Sequence, residues 1–550
     1  MSNTRLELQT LSIAYPRAIN PELRAAVVGV SLQVQGGECL GLVGESGCGK
    51  STIGRAILQL LPPGSQIRGS IWVDGSNILT LKGRALQRWR GEQVGLIFQD
   101  PMTRLNPLMT VKDHCWEVLQ AHAPHLSRAQ KLSKIKTTLE TVKIPAARMD
   151  QYPHEFSGGM RQRVAIALAL LLEPVLIIAD EPTTSLDVTV AAQILTELTR
   201  LCQAREMGLL LISHDLALVG KYCQRLAVMH QGQLVEAGNA REILSNPQQP
   251  YTQALLNAAR RMHQAPETPT APPDADTPVL LSLDHLERHY TLAPNPIAQL
   301  LGQAPHFIKA VDGITLDIYA GETLGLVGES GCGKSTLSRT ILQLVMPTGG
   351  RVQFHGEDLT QLTSRQMRPR RRELQMIFQD PHACLNPLMT VGQNLLEPLL
   401  IHSLATPKTA QERVLDILAW VELVPPETYF ARYPKELSGG QRQRVAIARA
   451  LITHPQLVIC DEPVSMLDAH IQTQVLELMQ HLKAEFNLTY LFITHDLAVA
   501  RFFCDRIAVM QAGQIVEIGL TETIFQQPQH PYTQTLLQAA PLLTPAQASH

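Results

Sequence analysis

Two stretches of the chain, Gly44–Thr52 and Gly328–Thr336, carry the same letters, Gly-Glu-Ser-Gly-Cys-Gly-Lys-Ser-Thr. Their residue types and spacing suit the wrapping of a phosphate group. Gly44, Gly47 and Gly49, with Gly328, Gly331 and Gly333, let the backbone curl so that consecutive N–H groups face phosphate oxygens with no Cβ in the way. Glu45, Ser46 and Cys48 fill the first loop, and Glu329, Ser330 and Cys332 the second. Lys50 and Lys334 are placed to reach β- and γ-phosphates. The hydroxyls of Ser51 and Ser335 are placed to ligate Mg²⁺, and Thr52 and Thr336 close the loops. Identical copies in equivalent contexts argue against a chance glycine-rich turn. Cys48 and Cys332 read as small filler, with an oxidation-sensitive thiol as the alternative.

Further chemistry-bearing residues also recur in pairs. Gln99 and Gln379 each end an apolar run before Asp-Pro, where the amide can bind Mg²⁺ through its carbonyl and orient a water; a strand-capping glutamine is the plainer reading. Asp180-Glu181 and Asp461-Glu462 end buried apolar runs. The aspartates would hold Mg²⁺, and the glutamates would polarise an attacking water. His214 and His495 can hydrogen-bond a γ-phosphate, although a lone histidine is often only structural. Ser157-Gly158-Gly159 and Ser438-Gly439-Gly440 open strong helices; the serines suit N-caps, and the helix ends suit a second anion contact. Tyr15 and Tyr290 follow the opening strands, where an aromatic could stack on a base or pack in the core.

These groups must be positioned by an α/β scaffold. Apolar runs precede each loop (Cys39 to Val43, Thr323 to Val327), and helix-compatible segments follow (Ile53 to Leu61, Leu337 to Val345). Strands are expected at Leu6 to Ala14, Val175 to Ala179 and Leu457 to Cys460. Lys112 to Arg148 and Gly392 to Pro426 read as small helical subdomains inserted into each half. The second copy inserts a loop near Pro294 to Pro305. The basic run Arg365 to Arg372 reads as a solvated helix face, with a lipid-headgroup contact as the lesser reading.

At 550 residues the chain exceeds one core, and the repeat divides it into residues 1–261, a proline-rich tether 262–279 and residues 280–550. With 45% apolar and 17% charged residues and a net charge of −2, it has a globular composition and no general attraction for nucleic acid. The longest apolar stretch, Val164 to Ala179, is interrupted by Glu173 and Pro174, so no bilayer span is expected. The N-terminus lacks a secretory pattern. Nine scattered cysteines without a Cys-x-x-Cys pair fit a reducing cytoplasm better than zinc or disulfides.

The ordered set of phosphate loop, glutamine, Ser-Gly-Gly signature, Asp-Glu strand, Leu-Asp turn and histidine, present twice, resembles the ATP-binding cassette ATPases. The resemblance implies two P-loop NTPase domains in pseudo-two-fold tandem, each with an inserted helical subdomain, that sandwich two ATP molecules with Mg²⁺. Lys50, Ser51, Asp180 and Glu181 would then work with Ser438 and Gly440, and Lys334, Ser335, Asp461 and Glu462 with Ser157 and Gly159. Leu-Asn-Pro-Leu-Met-Thr-Val, shared at Leu105 to Val111 and Leu385 to Val391, and the Pro-Tyr-Thr segments at 250–252 and 531–533 look like those of oligopeptide, dipeptide and nickel importers, including fused glutathione-type ATPases.

That likeness implies two membrane permease subunits, an extracytoplasmic solute-binding protein and a peripheral place at the cytoplasmic face of a bacterial inner membrane. A ribosome-associated tandem cassette is the rival; such proteins usually have a long charged helical linker, unlike the tether here. Some relatives carry an iron–sulfur cysteine cluster after Pro-Tyr-Thr. Neither tail here has cysteine, so no cluster is expected. Met160 stands where the second half has Gln441, and Leu168 where it has Arg449. Both changes leave the equality of the two sites open.

Overall fold

Short apolar runs bounded by turns become strands. In the first half β3 (Cys39–Val43), β6 (Val94–Ile97), β7 (Leu176–Asp180), β8 (Gly208–Ser213), β9 (Arg225–His230) and β10 (Gln233–Asn239) form one sheet. Its order is β10-β9-β3-β8-β7-β6, parallel except for β10. A second, antiparallel sheet joins β1 (Thr4–Pro16), β2 (Leu23–Gln35), β4 (Gln66–Val73) and β5 (Ser76–Asn77) in the order β2-β1-β4-β5. The computed structural model describes residues 3–16, 23–98, 105–183, 186–263, 277–292, 306–380 and 384–540, which divide into two compact units between Ala259 and Arg260.

The parallel strands are apolar along their middles because both faces are covered there. Leu176 and Ile178 pack into the core beneath the antiparallel sheet, whereas their neighbours Ile177 and Ala179 enter the core shared with the helices. The second unit repeats the plan. Thr323–Val327, Leu374–Ile377, Leu457–Asp461, Thr489–Thr494, Arg506–Gln511 and Gln514–Leu520 build its larger sheet, and Val279–Leu292, His306–Tyr319, Gly349–Phe354 and Glu357–Asp358 its smaller one.

Between β6 and β7 lie helices Val111–His122 and Arg128–Thr141; the second unit has Val391–Ile401, Pro407–Trp420 and Pro426–Ala431 at the same place. These are the expected helical insertions. The helix after each phosphate loop differs from expectation. It runs Lys50–Ile57 and Lys334–Ile341, starting earlier because Gly49 and Gly333 take left-handed N-cap conformations (φ 105 and 114). The basic run lies on a largely solvated helix face, as expected, with Arg365 and Arg368 exposed and Met367 buried. On helix Ser364–Glu373, Arg368 donates to the Ile401 carbonyl at 2.6 Å, Arg370 to Glu357 at 2.6 Å and Arg371 to the Gln343 carbonyl at 3.5 Å. The guanidiniums brace neighbouring elements.

No helix of the described residues is long and apolar enough to cross a membrane. Gln99, the inserted loop near Pro294 to Pro305 and the tether between 264 and 276 lie outside the described residues. At the tether's ends, helix Pro250–His263 and strand Val279–Leu292 reach into the expected 262–279 span.

Candidate nucleotide site

Parallel pairing brings the motifs together. Val43 pairs with Ser213 and Asp180 with Ile212, so the phosphate loop, the Asp-Glu pair and the histidine leave the same edge of the sheet from adjacent strands. Val327 with Thr494 and Asp461 with Ile493 do the same in the second unit.

Each loop closes around its own lysine. Buried Lys50 donates to the carbonyls of Gly44 at 2.6 Å and Glu45 at 2.8 Å; Lys334 donates to Gly328 at 2.6 Å and Glu329 at 2.9 Å. The fold requires glycine at Gly44: with φ 149, an added Cβ would lie 2.2 Å from the Met229 carbonyl oxygen. Gly49 offers no side chain to cap the helix that begins at Lys50. A helix end without a side-chain cap, beside a buried ammonium group, suits a phosphate ligand. Cys48 and Cys332 are buried within the loops.

Ser51 Oγ donates to Asp180 Oδ1 at 2.9 Å, and Ser335 Oγ to Asp461 Oδ1 at 3.2 Å. Burial raises both aspartates above the ordinary carboxylate value; the serine bonds oppose this, and the charge of the adjacent glutamate adds to it. A divalent cation bridging hydroxyl and carboxylate would relieve that charge. Among the described residues no group of three or more His, Cys, Asp or Glu side chains could hold a metal. A serine hydroxyl beside one aspartate fits Mg²⁺, which binds few protein ligands and completes its shell with phosphate and water.

Glu181 and Glu462 turn out of their strands with left-handed φ of 49, a conformation uncommon outside glycine. Backbone bonds hold the turn, Glu181 N–H to the Ile212 carbonyl and Glu462 N–H to the Ile493 carbonyl, both at 2.9 Å. The kink carries each carboxylate to a histidine: Glu181 Oε1 lies 3.1 Å from His214 Nδ1, and Glu462 Oε1 lies 2.9 Å from His495 Nδ1. Gln379 Nε2 donates to the other oxygen of Glu462 at 2.7 Å. Burial pushes Glu462 upward, yet the hydrogen bond and charge of His495, with Lys334 and Gln379, leave it below the ordinary glutamate value. For His495 burial pulls downward, and Glu462 and Asp496 outweigh it to leave a raised value. Such a glutamate is ionised at neutral pH, and the histidine holds it in place.

Ser157 accepts from Met160 N at 3.4 Å as the N-cap of Gly158–Leu170. In the second unit Ser438 and Gln441 make the reciprocal pair, Gln441 N to Ser438 Oγ at 3.3 Å and Ser438 N to Gln441 Oε1 at 3.0 Å. Methionine has no carbonyl for the return bond, so the first signature is held by one bond fewer. Gly159 and Gly440 pack closely on the following helices; an added Cβ would meet Val190 at 2.3 Å and Ile471 at 2.8 Å, respectively. Gly158 and Gly439 leave ordinary van der Waals room, with Leu186 at 3.7 Å and Leu467 at 3.6 Å.

Tyr15 donates its hydroxyl to Thr52 Oγ1 at 3.1 Å, which puts its ring beside the phosphate loop. Tyr290 instead lies under the Arg288 guanidinium, 4.5 Å from the ring centroid. Two loop contacts escaped the sequence reading. Glu45 N donates to the Tyr251 hydroxyl at 3.3 Å, and Glu329 N to the Tyr532 hydroxyl at 3.1 Å. Both tyrosines belong to the Pro-Tyr-Thr segments; the repetition was the available signal, but more than two hundred residues separate the partners.

A family model described as ABC transporter matches residues 27–184 and 311–465. A model described as the oligopeptide/dipeptide transporter C-terminal region matches 235–279 and 516–550. The chain is 40% identical over 574 residues to the glutathione import ATP-binding protein GsiA of Pectobacterium atrosepticum, covering 98% of this chain and 90% of that protein. It is 42% identical over 549 residues to the Salmonella choleraesuis protein of the same name, covering 95% and 87%.

Proposed function

The chain belongs to the ABC transporter family as a tandem ATP-hydrolysing importer subunit, and from that premise we propose that it drives uptake of glutathione or a related short peptide. The observation that carries the solute class is the C-terminal region of oligopeptide/dipeptide type, present behind each hydrolytic site. Nickel complexes are the other cargo class within reach of that region. The work is done with two separate membrane permeases and a solute-binding protein, at the cytoplasmic face of a bacterial inner membrane.

Support for permease docking comes from Leu108 and Leu388, equivalent residues in the shared Leu-Asn-Pro-Leu-Met-Thr-Val stretch, which are 85% and 86% exposed. A large apolar side chain held out in both units, just before the helical insertion, suits a partner surface.

Within each site Lys50 or Lys334 neutralises the β- and γ-phosphates. Ser51 with Asp180, and Ser335 with Asp461, would hold Mg²⁺, joined by Gln99 or Gln379; when bound, the ion would supply positive charge to the phosphates. Glu181 and Glu462 accept the proton of the attacking water, while His214 and His495 hold the carboxylates in place. The signature residues Ser157, Gly159, Ser438 and Gly440 stand at helix N-termini that suit a further phosphate contact. Hydrolysis removes the γ-phosphate, and the change of shape that follows moves the permease helices.

The test is reconstitution with the neighbouring permeases in proteoliposomes, with the solute-binding protein outside. ATP-dependent accumulation of labelled glutathione or dipeptide, and ATPase stimulation by the loaded binding protein, are expected. Copurification with ribosomes in place of membranes, or no uptake of either solute, would overturn the reading.

A further inference from the structure

The C-terminal region that marks the importer class reaches the phosphate loop, and it does so identically in both units. In the first, Tyr251 lies in the first turn of helix Pro250–His263 and its hydroxyl accepts the Glu45 N–H at 3.3 Å. In the second, Tyr532 lies in the first turn of Pro531–Ala539 and accepts the Glu329 N–H at 3.1 Å. These are the second residues of the two loops.

Each tyrosine stands on a fixed base. Glu236, on β10, accepts the N–H groups of Gln248 at 2.8 Å and Gln249 at 3.2 Å, immediately before Pro250-Tyr251. Glu517 accepts those of Gln529 at 2.8 Å and His530 at 3.1 Å, immediately before Pro531-Tyr532. A carboxylate taking two backbone N–H groups makes a strong anchor. The next residues, Thr252 and Thr533, are buried. His230 adds a stacked ring 4.0 Å from Tyr251. The strand that carries His230 also supplies the Met229 carbonyl, against which Gly44 is packed.

The loop peptide at Glu45 is thus gripped from two sides, its N–H by the tyrosine and its C=O by Lys50 at 2.8 Å. Glu329 is gripped in the same way by Tyr532 and Lys334, the latter at 2.9 Å. An ammonium group has three donors. Two are given to loop carbonyls here, so engaging the β- and γ-phosphates draws on the lysine that also holds the loop, whereas the tyrosine grip does not depend on it.

We propose that Tyr251 and Tyr532 are positioning residues for ATP binding: each importer-type tail holds the start of its own unit's phosphate loop in the shape that receives the phosphates, and so sets ATP affinity. The inference rests on the loops binding ATP as described above. It gives the C-terminal region a role inside the ATPase, acting through a backbone amide and touching no reacting atom.

The test uses the full chain with Tyr251→Phe, Tyr532→Phe and the double change, which keep the ring and remove only the hydroxyl. Loss of one modest hydrogen bond in the apparatus predicts weaker binding of a fluorescent ATP analogue and a KM for ATP raised about three- to tenfold, with kcat held within about twofold. The melting temperature without nucleotide is expected to stay at the wild-type value, while amide hydrogen exchange at Glu45 and Glu329 quickens. Wild-type affinity, KM and loop exchange in the double variant would overturn the inference and leave the ATP reading intact. Failure of the wild-type chain to bind ATP would overturn both. A lowered melting temperature with unchanged affinity would also overturn it, because the hydroxyl would then serve stability alone.

Discussion

Replacing His495 with alanine isolates the contact on which the proposed role of Glu462 as a base depends. In the structure Glu462 sits at φ 49 with two side-chain donors, His495 Nδ1 at 2.9 Å and Gln379 Nε2 at 2.7 Å. The alanine change removes the donor with the larger influence on its ionisation. A hydrogen bond to a charged group contributes about 1.5–3 kcal/mol, so misplacing the carboxylate by that amount predicts a fall in kcat of about ten- to a hundredfold at that site. The pH profile adds a sign. Burial pushes Glu462 up and His495 is the main force holding it down; without the histidine the pKa rises, and the acid limb of kcat/KM moves to higher pH. The assay is steady-state ATP hydrolysis from acid to neutral pH, with bound analogue measured in parallel. A kcat within about twofold of wild type and an unmoved acid limb would refute the reasoning.

The same pair makes a stability prediction. His495 has a raised folded value, so its contribution is complete below the ordinary histidine pKa of 6.5 and is lost as pH rises through the folded value. Glu462 has a lowered one, so its contribution is present above 4.5 and is lost as pH falls through the folded value. The melting-temperature gap between wild type and His495→Ala should be widest between these two values; a gap independent of pH would contradict the pairing. Met160→Gln should supply the missing return bond to Ser157 and raise the melting temperature of the first unit by about 1–4 °C, read by calorimetry; no rise would mean that the reciprocal cap adds nothing there. Gly44→Ala should abolish analogue binding at the first loop, because its Cβ would meet the Met229 carbonyl at 2.2 Å, whereas Gly47→Ala, with nothing within 4 Å, should do less harm. Equal losses would show that left-handed strain alone decides.

What the sequence revealed of the site follows from chemistry that leaves little choice of residue. Phosphate wrapping needs glycines at set intervals, and a water-activating carboxylate must leave the end of a buried strand, so Lys50, Ser51, Asp180, Glu181 and their counterparts could be read in order. The strand and helical-insertion plan followed from apolar runs that the fold covers on both faces. The left-handed turn at Glu181 and Glu462 has no such signature, since a Glu-Pro dipeptide does not announce a positive φ. Tyr251 and Tyr532 were visible as a repeated motif, but their loop contact is a product of tertiary packing. The basic run at Arg365 to Arg372 reads as a solvated face, and Arg365 and Arg368 are exposed. Charge density pointed to that face but not to the carbonyls of Gln343 and Ile401 that its guanidiniums reach, which depend on tertiary packing.

Asymmetry between the units comes from a few substitutions. Arg449 donates to the Cys384 carbonyl and, at 3.2 Å, to Glu397, tying the signature helix to the segment after Gln379 and to the helical insertion. Leu168 packs instead against the first unit's core and forms no such tie. With Met160 in place of Gln441, the first signature is the more loosely braced of the two.

The most direct measurement of the central claim is ATP hydrolysis by the full chain carrying both Glu181→Gln and Glu462→Gln. Removing the general base from both sites predicts a fall in kcat of at least about a hundredfold, with ATP binding retained because lysine, serine and aspartate are untouched. Undiminished hydrolysis in that variant would contradict the assignment of these two glutamates as the bases that activate water.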